Sequence, residues 1–314
     1  MRNSLIQRDL VRMKMRPKKK VHVELVGGLG NQLFQFFAAK YVSDRENCEL
    51  VLRSNRIGYL ESDHGYHLSN LVQCHDYASK QYRFPKIMAH KSKVIEKIQR
   101  RLMPPALVQH LFKTYNSTVI GYDSKLEVLA PSITLRGYFQ TYRYFSSNIE
   151  YKKMVRIENP SRWCKEMQSD IESHHSVSIH VRYGDYAALK LIFGVLDENY
   201  YKRAVSIADE LKSNATYFVF SDDLDWARRV LAFLPESKTV FVLPPPESNP
   251  SESMYLMSLS DCLIGANSTF SYWSGLLTGR DSVVITPEKW FRNLEDPSDL
   301  CPPSWIRCES SWIN

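Results

Sequence analysis

Residues 178–186, SIHVRYGDY, indicate the fold class more clearly than any other stretch of the chain. Apolar and polar residues alternate over residues 177–182, which is the two-residue period of a β-strand, and a glycine then ends the pattern. His180 and Arg182 therefore leave one face of a strand just before its carboxyl end. Because open α/β sheets bind ligands outside the carboxyl ends of their strands and a guanidinium suits a phosphate, these residues are candidates for phosphate binding. A solvated strand face, on which Asp185 pairs with Arg182, is an equally good interpretation of this stretch alone.

Strands and helices alternate along the rest of the second half of the chain. The sequence predicts strands at residues 216–220, 239–243, 262–265 and 283–286, and helices at residues 199–212, 226–234, 251–259 and 270–277. Strict alternation of this kind is typical of a parallel, doubly wound α/β sheet. We expect Asn199 to cap the first of these helices and residues 283–286 to form the last strand.

An earlier predicted strand, residues 21–26, runs into the glycine turn of residues 27–31, GGLGN, and then into a helix. Strand, glycine turn and helix are the opening of a nucleotide-binding α/β domain. The dinucleotide fingerprint requires a third glycine at position 33, which is Leu33, and no Gly-Lys-Ser/Thr follows as a phosphate loop requires. The turn, which we expect Asn31 to cap, therefore either holds a phosphate on its N–H groups or only turns the chain.

The length of 314 residues allows two domains, and we place their boundary near Asn159 and Pro160. The expected organisation is a basic tail over residues 1–20, a first domain over residues 21–159 and a second over residues 160–314. The tail carries eight basic residues and one acidic residue, so it holds the whole net charge of +7. The neutral body argues against a nucleic-acid partner, and the tail either makes a peripheral contact with anionic lipid or is a solvated arm.

The compartment is predicted from what the sequence lacks. No apolar run is long enough for a transmembrane helix, and the N-terminus lacks the apolar core of a signal peptide. The six cysteines form no C-x-x-C pair, so we expect free thiols in a reducing compartment, although Cys301 and Cys308 could pair in an oxidising lumen. We therefore expect a cytoplasmic or peripheral membrane protein, and a Golgi location would require an N-terminal anchor missing from this chain.

Acidic residues follow the predicted strand at residues 216–220. Asp222 and Asp223 are placed where carboxylates can accept hydrogen bonds from a ribose or from a guanine edge. Residues 223–225, DLD, also match the D-x-D pattern by which many sugar transferases hold a divalent metal. Asp is favoured at a helix start by capping and by the helix dipole as well, so the pattern does not separate the two interpretations.

Residues 267–273, NSTFSYW, follow another predicted strand and begin a helix. The hydroxyls of Ser268 and Thr269 and the N–H groups of the turn have the arrangement of an anion-binding site. Phe270 could stack on a base. The alternative is that the hydroxyls are ordinary N-caps and the aromatic residues belong to the core.

The densest aromatic patch is residues 138–145, YFQTYRYF, at the end of a predicted strand. It is either a platform for the apolar face of a sugar or a mixture of core residues and ordinary exposed tyrosines. The residues proposed to contact a sugar there are Tyr138, Gln140 and Tyr142.

Taken together, these segments resemble, in order and spacing, the α-1,2-fucosyltransferases of glycosyltransferase family 11. The matching segments are residues 27–35 (GGLGNQLFQ), 137–140 (GYFQ), 180–186 (HVRYGDY), 220–223 (FSDD), 255–259 (YLMSL) and 266–273 (ANSTFSYW). The resemblance extends from about residue 21 to residue 290, and six motifs in order are far more specific than any one of them.

The resemblance implies an α/β fold of the GT-B type, in which two Rossmann-like domains with parallel sheets face each other across a cleft. The first domain would lie on the acceptor side and the second would bind the GDP-sugar. It implies transfer of L-fucose from GDP-β-L-fucose to the 2-hydroxyl of a galactose-containing oligosaccharide, with inversion at the anomeric carbon. Neither a cofactor nor a metal ion is expected.

The resemblance also implies roles for individual residues. Arg182 would hold the β-phosphate of GDP with support from His180, and Asp185 is either the catalytic base or a support for Arg182. The residues implied to bind the donor are Gly28, Gly30, Asn31, Asp222, Asp223, Asn267, Ser268, Thr269 and Phe270.

One position departs from the family pattern, which usually reads H-V-R-R-G-D. Tyr183 stands in place of the second arginine, and strand alternation directs it away from Arg182. This departure is the main support for an alternative, a GDP-sugar-binding or glycan-binding protein without catalysis. A fucosyltransferase with a different acceptor is the other alternative.

Overall fold

The computed structural model of the protein describes residues 19–53, 68, 71, 114–145, 151–157 and 159–313. Most of the basic tail and nearly all of the region between residues 54 and 113 therefore lie outside the described residues. None of the described helices is long and apolar enough to cross a membrane.

The first half of the chain builds a parallel sheet of four described strands. The strands are β1 (Lys20–Glu24), β2 (Glu49–Arg53), β3 (Thr114–Asn116) and β4 (Ile133–Arg136). The described helices of this half are α1 (Leu29–Arg45) and the short α2 (Tyr151–Met154). The strand order is β2-β1-β4-β3, and each neighbouring pair is parallel.

A second parallel sheet has six described strands. They are β5 (Ser176–Val181), β6 (Thr216–Ser221), β7 (Thr239–Phe241), β8 (Cys262–Ile264), β9 (Val283–Pro287) and β10 (Ile306–Cys308). The helices are α3 (Arg162–Glu172), α4 (Glu198–Leu211), α5 (Leu224–Val230), α6 (Pro250–Met257) and α7 (Thr269–Leu277). The strand order β10-β9-β8-β5-β6-β7 is parallel throughout, which confirms the predicted doubly wound α/β sheet.

Two local predictions in this half were wrong. Asp197, and not Asn199, caps α4, because Asp197 Oδ1 accepts hydrogen bonds from the N–H groups of Asn199 and Tyr200 at 2.9 and 3.2 Å. Asp and Asn cap helices about equally well, so the residue type alone does not show which of Asp197 and Asn199 is the N-cap. The strand at residues 283–287 is not the last, since β10 pairs with β9. Three residues after a long irregular segment are too few to give a periodic signal.

In each sheet, the side on which successive strands are added changes at a central strand. Strand β1 lies between β2 and β4, and strand β5 lies between β6 and β8. Connections therefore leave the central strand toward opposite sides, which opens a crevice at the carboxyl ends of β1 and β4 and another at those of β5 and β8. Open α/β sheets bind their ligands at such switch points.

Helices α1 and α7 pack the two halves against each other. Phe34 of α1 lies 4.9 Å from the ring of Tyr272 and 5.3 Å from that of Trp273, and Phe37 stacks on Trp273 at 5.3 Å. All four side chains are buried. Since burying one such side chain contributes about 1.5–3 kcal/mol, this shared core fixes where the two helix starts lie. The domain boundary near residues 159–160 stays a prediction, because α7 packs into the core of the first half.

Candidate active site

The carboxyl ends of both sheets line one cleft with a volume of about 1080 Å³. The first half contributes the segments after β1 and β4, and the second half contributes those after β5, β6 and β8. The predicted site residues in the lining are Gly28, Gly30, Asn31, Tyr138, Gln140, His180, Arg182, Asp185, Asp222, Asn267, Ser268, Thr269 and Phe270. Both switch points of the fold therefore open into the same cleft.

Two carboxylates and one aromatic ring hold the guanidinium of Arg182. Its Nη2 donates to Asp185 Oδ1 at 2.5 Å, its Nη1 lies 2.9 Å from Asp222 Oδ2, and its Cζ lies 5.2 Å from the centre of the Tyr186 ring. Charge-assisted bonds at both Nη atoms keep a planar guanidinium in one orientation. The contact gives Asp185 a positioning role toward Arg182. We call Arg182, Asp185 and Asp222 the arginine clamp.

The arginine clamp has a formal charge of −1, so it does not attract an anion by itself. The N-termini of α1 and α7 open into the same cleft, and each is equivalent to roughly +0.5 of an elementary charge. Together they offset the excess carboxylate. An anion in this cleft is therefore stabilised by two helix dipoles and an oriented arginine acting together, and not by the arginine alone.

The starts of α1 and α7 touch each other. A Cβ at Gly30 would lie 2.5 Å from the carbonyl carbon of Thr269, so this approach requires glycine at position 30. Ser268 caps α7, since its Oγ accepts a hydrogen bond from the Phe270 N–H at 3.3 Å, whereas Gly28 occupies the N-cap of α1 without a side-chain bond. The first turns of α1 and α7, with their free N–H groups, therefore lie side by side in the cleft lining, and helix N-termini of this kind bind phosphate groups in proteins.

A strained turn after β4 forms part of the first-domain wall. Phe139 is buried and has a φ of 55°, a conformation that is rare for a bulky residue, and Gln140 follows it into the cleft. Gln140 Nε2 donates to Asn31 Oδ1 at 3.0 Å. Asn31 lies in the first turn of α1, so the prediction that it caps this helix was wrong. Tyr138, at the tip of the turn, is half exposed.

Three buried polar atoms of the cleft lining have no hydrogen-bond partner in the described part of the chain. They are His180 Nδ1, Arg182 Nε and Asn267 Oδ1. His180 is 4 % exposed and Asn267 is 3 % exposed. An unpaired buried polar atom costs about 1–3 kcal/mol, so these three atoms lower the stability of the ligand-free protein.

His180 is a neutral member of the site. Burial, reinforced by the charge of Arg182, lowers the pKa of His180 to about 3. Its ring lies 5.7 Å from that of Phe270. At neutral pH His180 is therefore a hydrogen-bonding group and not a proton carrier.

We expect this shift to appear in the pH dependence of stability. The unfolded chain protonates His180 near a pKa of about 6.5 and the folded chain only near 3, so between these values the unfolded state binds more protons and stability falls as the pH is lowered. From pH 7 to pH 5 the loss is roughly 2 kcal/mol from this group. Urea denaturation at both pH values should show that His180→Gln removes this loss. The exposed His175 supplies the control, His175→Gln, which should keep the wild-type slope; equal slopes in all three proteins would contradict the prediction.

Two predicted site residues lie outside the cleft lining. Asp223 caps α5, with its Oδ1 accepting a hydrogen bond from the Trp226 N–H at 2.8 Å, and Tyr142 packs against the core of the first half. Their binding roles stay predictions. The cap accounts for the first carboxylate of the D-x-D pattern. Among the described residues, no group of three or more His, Cys, Asp or Glu side chains could hold a metal ion.

Tyr183, which replaces an arginine of the family pattern, does not line the cleft. Its ring stacks on Trp226 at 4.5 Å with an angle of 18°, and its N–H donates to Asp222 Oδ1 at 2.9 Å. The backbone of Tyr183 therefore helps to hold the arginine clamp, and its side chain stabilises the start of α5 from outside.

Glu24, Arg136 and Tyr186 are among the lining residues that were given no role from the sequence. Glu24 and Arg136 end β1 and β4, so the rule that ligands bind at strand ends could have found both. The Tyr186 hydroxyl donates to the carbonyl oxygen of Asn267 at 3.2 Å, and burial raises its pKa to about 12. No sequence signal indicated that this ring would lie beside Arg182.

Comparison with known proteins gives the site its context. The profile of Glycosyl transferase family 11 matches residues 20–308. The chain belongs to glycosyltransferase family 11. It is 31 % identical over 312 residues to the alpha-1,2-colitosyltransferase of Escherichia coli, covering 92 % of this chain and 99 % of that one. It is 26 % identical over 137 residues to the galactoside 2-alpha-L-fucosyltransferase Sec1 of Mus musculus, covering 41 % of this chain and 37 % of that one.

The fold of this family 11 protein agrees with a solved structure. The fucosyltransferase NodZ from Bradyrhizobium superposes with a TM-score of 0.50 at 14 % identity, covering 84 % of this chain and 94 % of that chain. The protein therefore has the GT-B fold, as the resemblance implied. Family membership makes it an enzyme, a glycosyltransferase.

Proposed function

We propose that this family 11 glycosyltransferase transfers L-fucose from GDP-β-L-fucose to the 2-hydroxyl of a galactoside in a glycan. The galactoside 2-alpha-L-fucosyltransferase relative supports this sugar and linkage, and the alpha-1,2-colitosyltransferase relative supports a 1,2 linkage. NodZ, which shares the fold, was co-crystallised with GDP. The observation that carries the proposal is the arginine clamp beside two touching helix starts.

The reaction builds negative charge where this site offers oriented hydrogen-bond donors. The bond between the fucose C1 and the β-phosphate oxygen breaks, and its electron pair stays on the phosphate. The Arg182 guanidinium and the first-turn N–H groups of α1 and α7 are the donors proposed to stabilise that charge. One such fixed donor is typically worth about 3–4 kcal/mol of transition-state stabilisation, so the site needs no metal ion.

The acceptor hydroxyl completes the reaction from the opposite face of the sugar. Its oxygen forms the new bond to C1, the anomeric configuration inverts, and the hydroxyl proton is released to the solvent. We assign Asp185 to the positioning of Arg182, because a carboxylate 2.5 Å from a guanidinium nitrogen is already engaged there.

A second donor is favoured by the E. coli relative, a colitosyltransferase that matches nearly the whole chain. Colitose is L-fucose without its 3-hydroxyl. A site built to hydrogen-bond a sugar hydroxyl rejects the analogue lacking it by about 10⁴-fold or more. A competition between the two donors therefore separates these candidates cleanly.

The test is a donor comparison with the purified protein. GDP-fucose and GDP-colitose are each incubated with methyl β-D-galactopyranoside, with and without EDTA, and released GDP and glycoside product are measured. We expect faster transfer from GDP-fucose and no effect of EDTA. A preference for GDP-colitose would establish the second candidate, inhibition by EDTA would contradict metal independence, and GDP binding without any transfer would support a binding protein.

Replacing Gly184 by alanine should loosen the arginine clamp. A Cβ there would lie 3.2 Å from Asp222 Cγ and closer still to Oδ2, and Asp222 cannot move without releasing Arg182 and the Tyr183 N–H. We expect GDP affinity to fall roughly 10-fold, the value of one charge-assisted hydrogen bond. Isothermal titration with GDP measures the change. Unaltered affinity in Gly184→Ala would show that Asp222 does not set the orientation of Arg182.

The cell compartment is a further part of the proposal. We infer a cytoplasmic or peripheral membrane location, in which a galactose-containing oligosaccharide and GDP-fucose are the partners. The five described cysteines are free thiols, including Cys301 and Cys308, which supports a reducing compartment. Membrane contact through the basic tail stays a prediction, because residues 1–18 lie outside the described residues.

A further inference from the structure

The first-domain wall of the cleft contains an ion pair that the proposed chemistry does not use. Arg136 Nε donates to Glu24 Oε2 at 2.7 Å, and Arg136 Nη2 donates to Glu24 Oε1 at 2.6 Å. The pair joins neighbouring strands, since Val23 lies opposite Leu135 and the next residue on each strand is Glu24 or Arg136. The Glu24 side chain is 12 % exposed and that of Arg136 is 36 % exposed. Two short parallel bonds fix both groups in one plane.

The pair lines the cleft from the first domain, whereas the arginine clamp lines it from the second. Both residues line the cleft from the first domain, at the switch point between β1 and β4. Of the carboxylates in the described lining, Asp185 and Asp222 hold Arg182 on the second domain. Glu24 is the carboxylate that the described first-domain wall supplies, and Tyr138 and Gln140 lie on the same wall.

The charge of the pair indicates what it binds. A carboxylate and a guanidinium in contact have no net charge, so they do not attract a phosphate. They do present strong acceptors and donors side by side at a fixed spacing, which suits a neutral molecule with adjacent hydroxyl groups. Charge-assisted hydrogen bonds to such hydroxyls are roughly twice as strong as bonds between neutral groups.

We propose that Glu24 and Arg136 form the hydroxyl-binding part of the acceptor subsite and take a pair of adjacent hydroxyls of a neutral galactoside. Glu24 accepts a hydrogen bond from one hydroxyl, and Arg136 donates one to the neighbouring hydroxyl while it holds Glu24 in place. The inference rests on the proposed function, because a galactoside is the acceptor named there. It assigns acceptor recognition to Glu24 and Arg136 and GDP binding to other residues.

The test measures binding, so it does not depend on turnover. Methyl β-D-galactopyranoside is titrated, with GDP present, into the wild type, Glu24→Gln and Arg136→Lys, and GDP alone is titrated into each protein. We expect the galactoside dissociation constant to rise about 10- to 100-fold in both variants, while the GDP dissociation constant stays within about twofold. Glutamine keeps the size of glutamate, and the lysine variant supplies a second measurement if one protein is unstable.

The same chain offers a matched control. Lys20 and Glu49 form an ion pair at 2.9 Å across β1 and β2, at the amino-terminal end of the same sheet. Glu49→Gln should leave both dissociation constants unchanged. A 3-deoxy or 4-deoxy galactoside should bind wild type and Glu24→Gln with a smaller difference than the parent glycoside, which a purely structural role would not produce.

Three results would overturn the inference. They are unchanged galactoside binding in Glu24→Gln and Arg136→Lys, an equal loss of GDP binding, and no galactoside binding by the wild type. Transfer of fucose is assayed separately with the wild type and with both variants. Transfer that persists unchanged in both variants refutes the acceptor subsite alone, whereas galactoside binding that depends on Glu24 without any transfer refutes the proposed function alone.

Discussion

Replacing Arg182 by alanine should lower the rate of fucose transfer by about 100- to 1000-fold, the usual effect of removing one fixed donor to a developing anion. The variant loses the guanidinium in the cleft lining and leaves Asp185 and Asp222 without their arginine. Two carboxylates without their arginine repel a diphosphate, so GDP affinity should fall as well. Steady-state kinetics with GDP-fucose and titration with GDP measure both effects.

Two further variants sharpen the test of Arg182. Arg182→Lys keeps the charge but cannot bridge two carboxylates with a planar fork, so it should recover part of the GDP affinity and little of the rate. Arg228, which lies over the Phe241 ring outside the cleft lining, serves as the matched control, and Arg228→Ala should retain the wild-type rate. A rate in Arg182→Ala within tenfold of the wild type would remove Arg182 from the catalytic site.

Replacing Gly30 by alanine should damage both the fold and the GDP site. The new Cβ would lie 2.5 Å from the Thr269 carbonyl carbon, and the obstacle is backbone on both sides, so one helix must move. Overpacking costs about 1–3 kcal/mol. Alanine returns at most about 1 kcal/mol through its higher helix propensity. The expected net loss is therefore roughly 0–2 kcal/mol of the free energy of unfolding.

Gly30→Ala should also weaken the binding of GDP. Moving the starts of α1 and α7 apart separates the two dipoles that offset the clamp carboxylates, and we expect at least about a 10-fold weaker complex with GDP. Urea denaturation and titration with GDP measure the two effects. Gly279, just after α7, is the control because a Cβ there meets nothing closer than 3.4 Å. If Gly30→Ala binds GDP as tightly as Gly279→Ala, the touching helix starts do not form the phosphate site.

Much of the fold and part of the site could be predicted from local sequence. The alternation of strands and helices gave the parallel sheets, and the end of β5 gave Arg182 and His180, because both signals lie within a few neighbouring residues. The strand order was not predictable, since it depends on packing between distant segments. Given the register in which Val181 lies opposite Ser221, the meeting of Arg182 with Asp222 follows directly.

The contacts that the sequence did not reveal are long-range ones. The pair of Glu24 and Arg136 spans 112 positions and depends on β1 and β4 being neighbours. The contact of Gly30 with Thr269 depends on how α1 packs against α7. A single sequence records each residue but not which distant residue it meets, so the neutral ion pair and the two touching helix starts appeared only in the structure.

The most direct test of the central claim is the linkage of the product. The wild-type protein is incubated with GDP-fucose and methyl β-D-galactopyranoside, and the purified product is examined by two-dimensional NMR. The proposal predicts an α-linked fucose whose anomeric proton correlates with carbon 2 of galactose. A correlation with another galactose carbon, a β-linked fucose, or GDP-fucose that is bound but never transferred to the galactoside would contradict it.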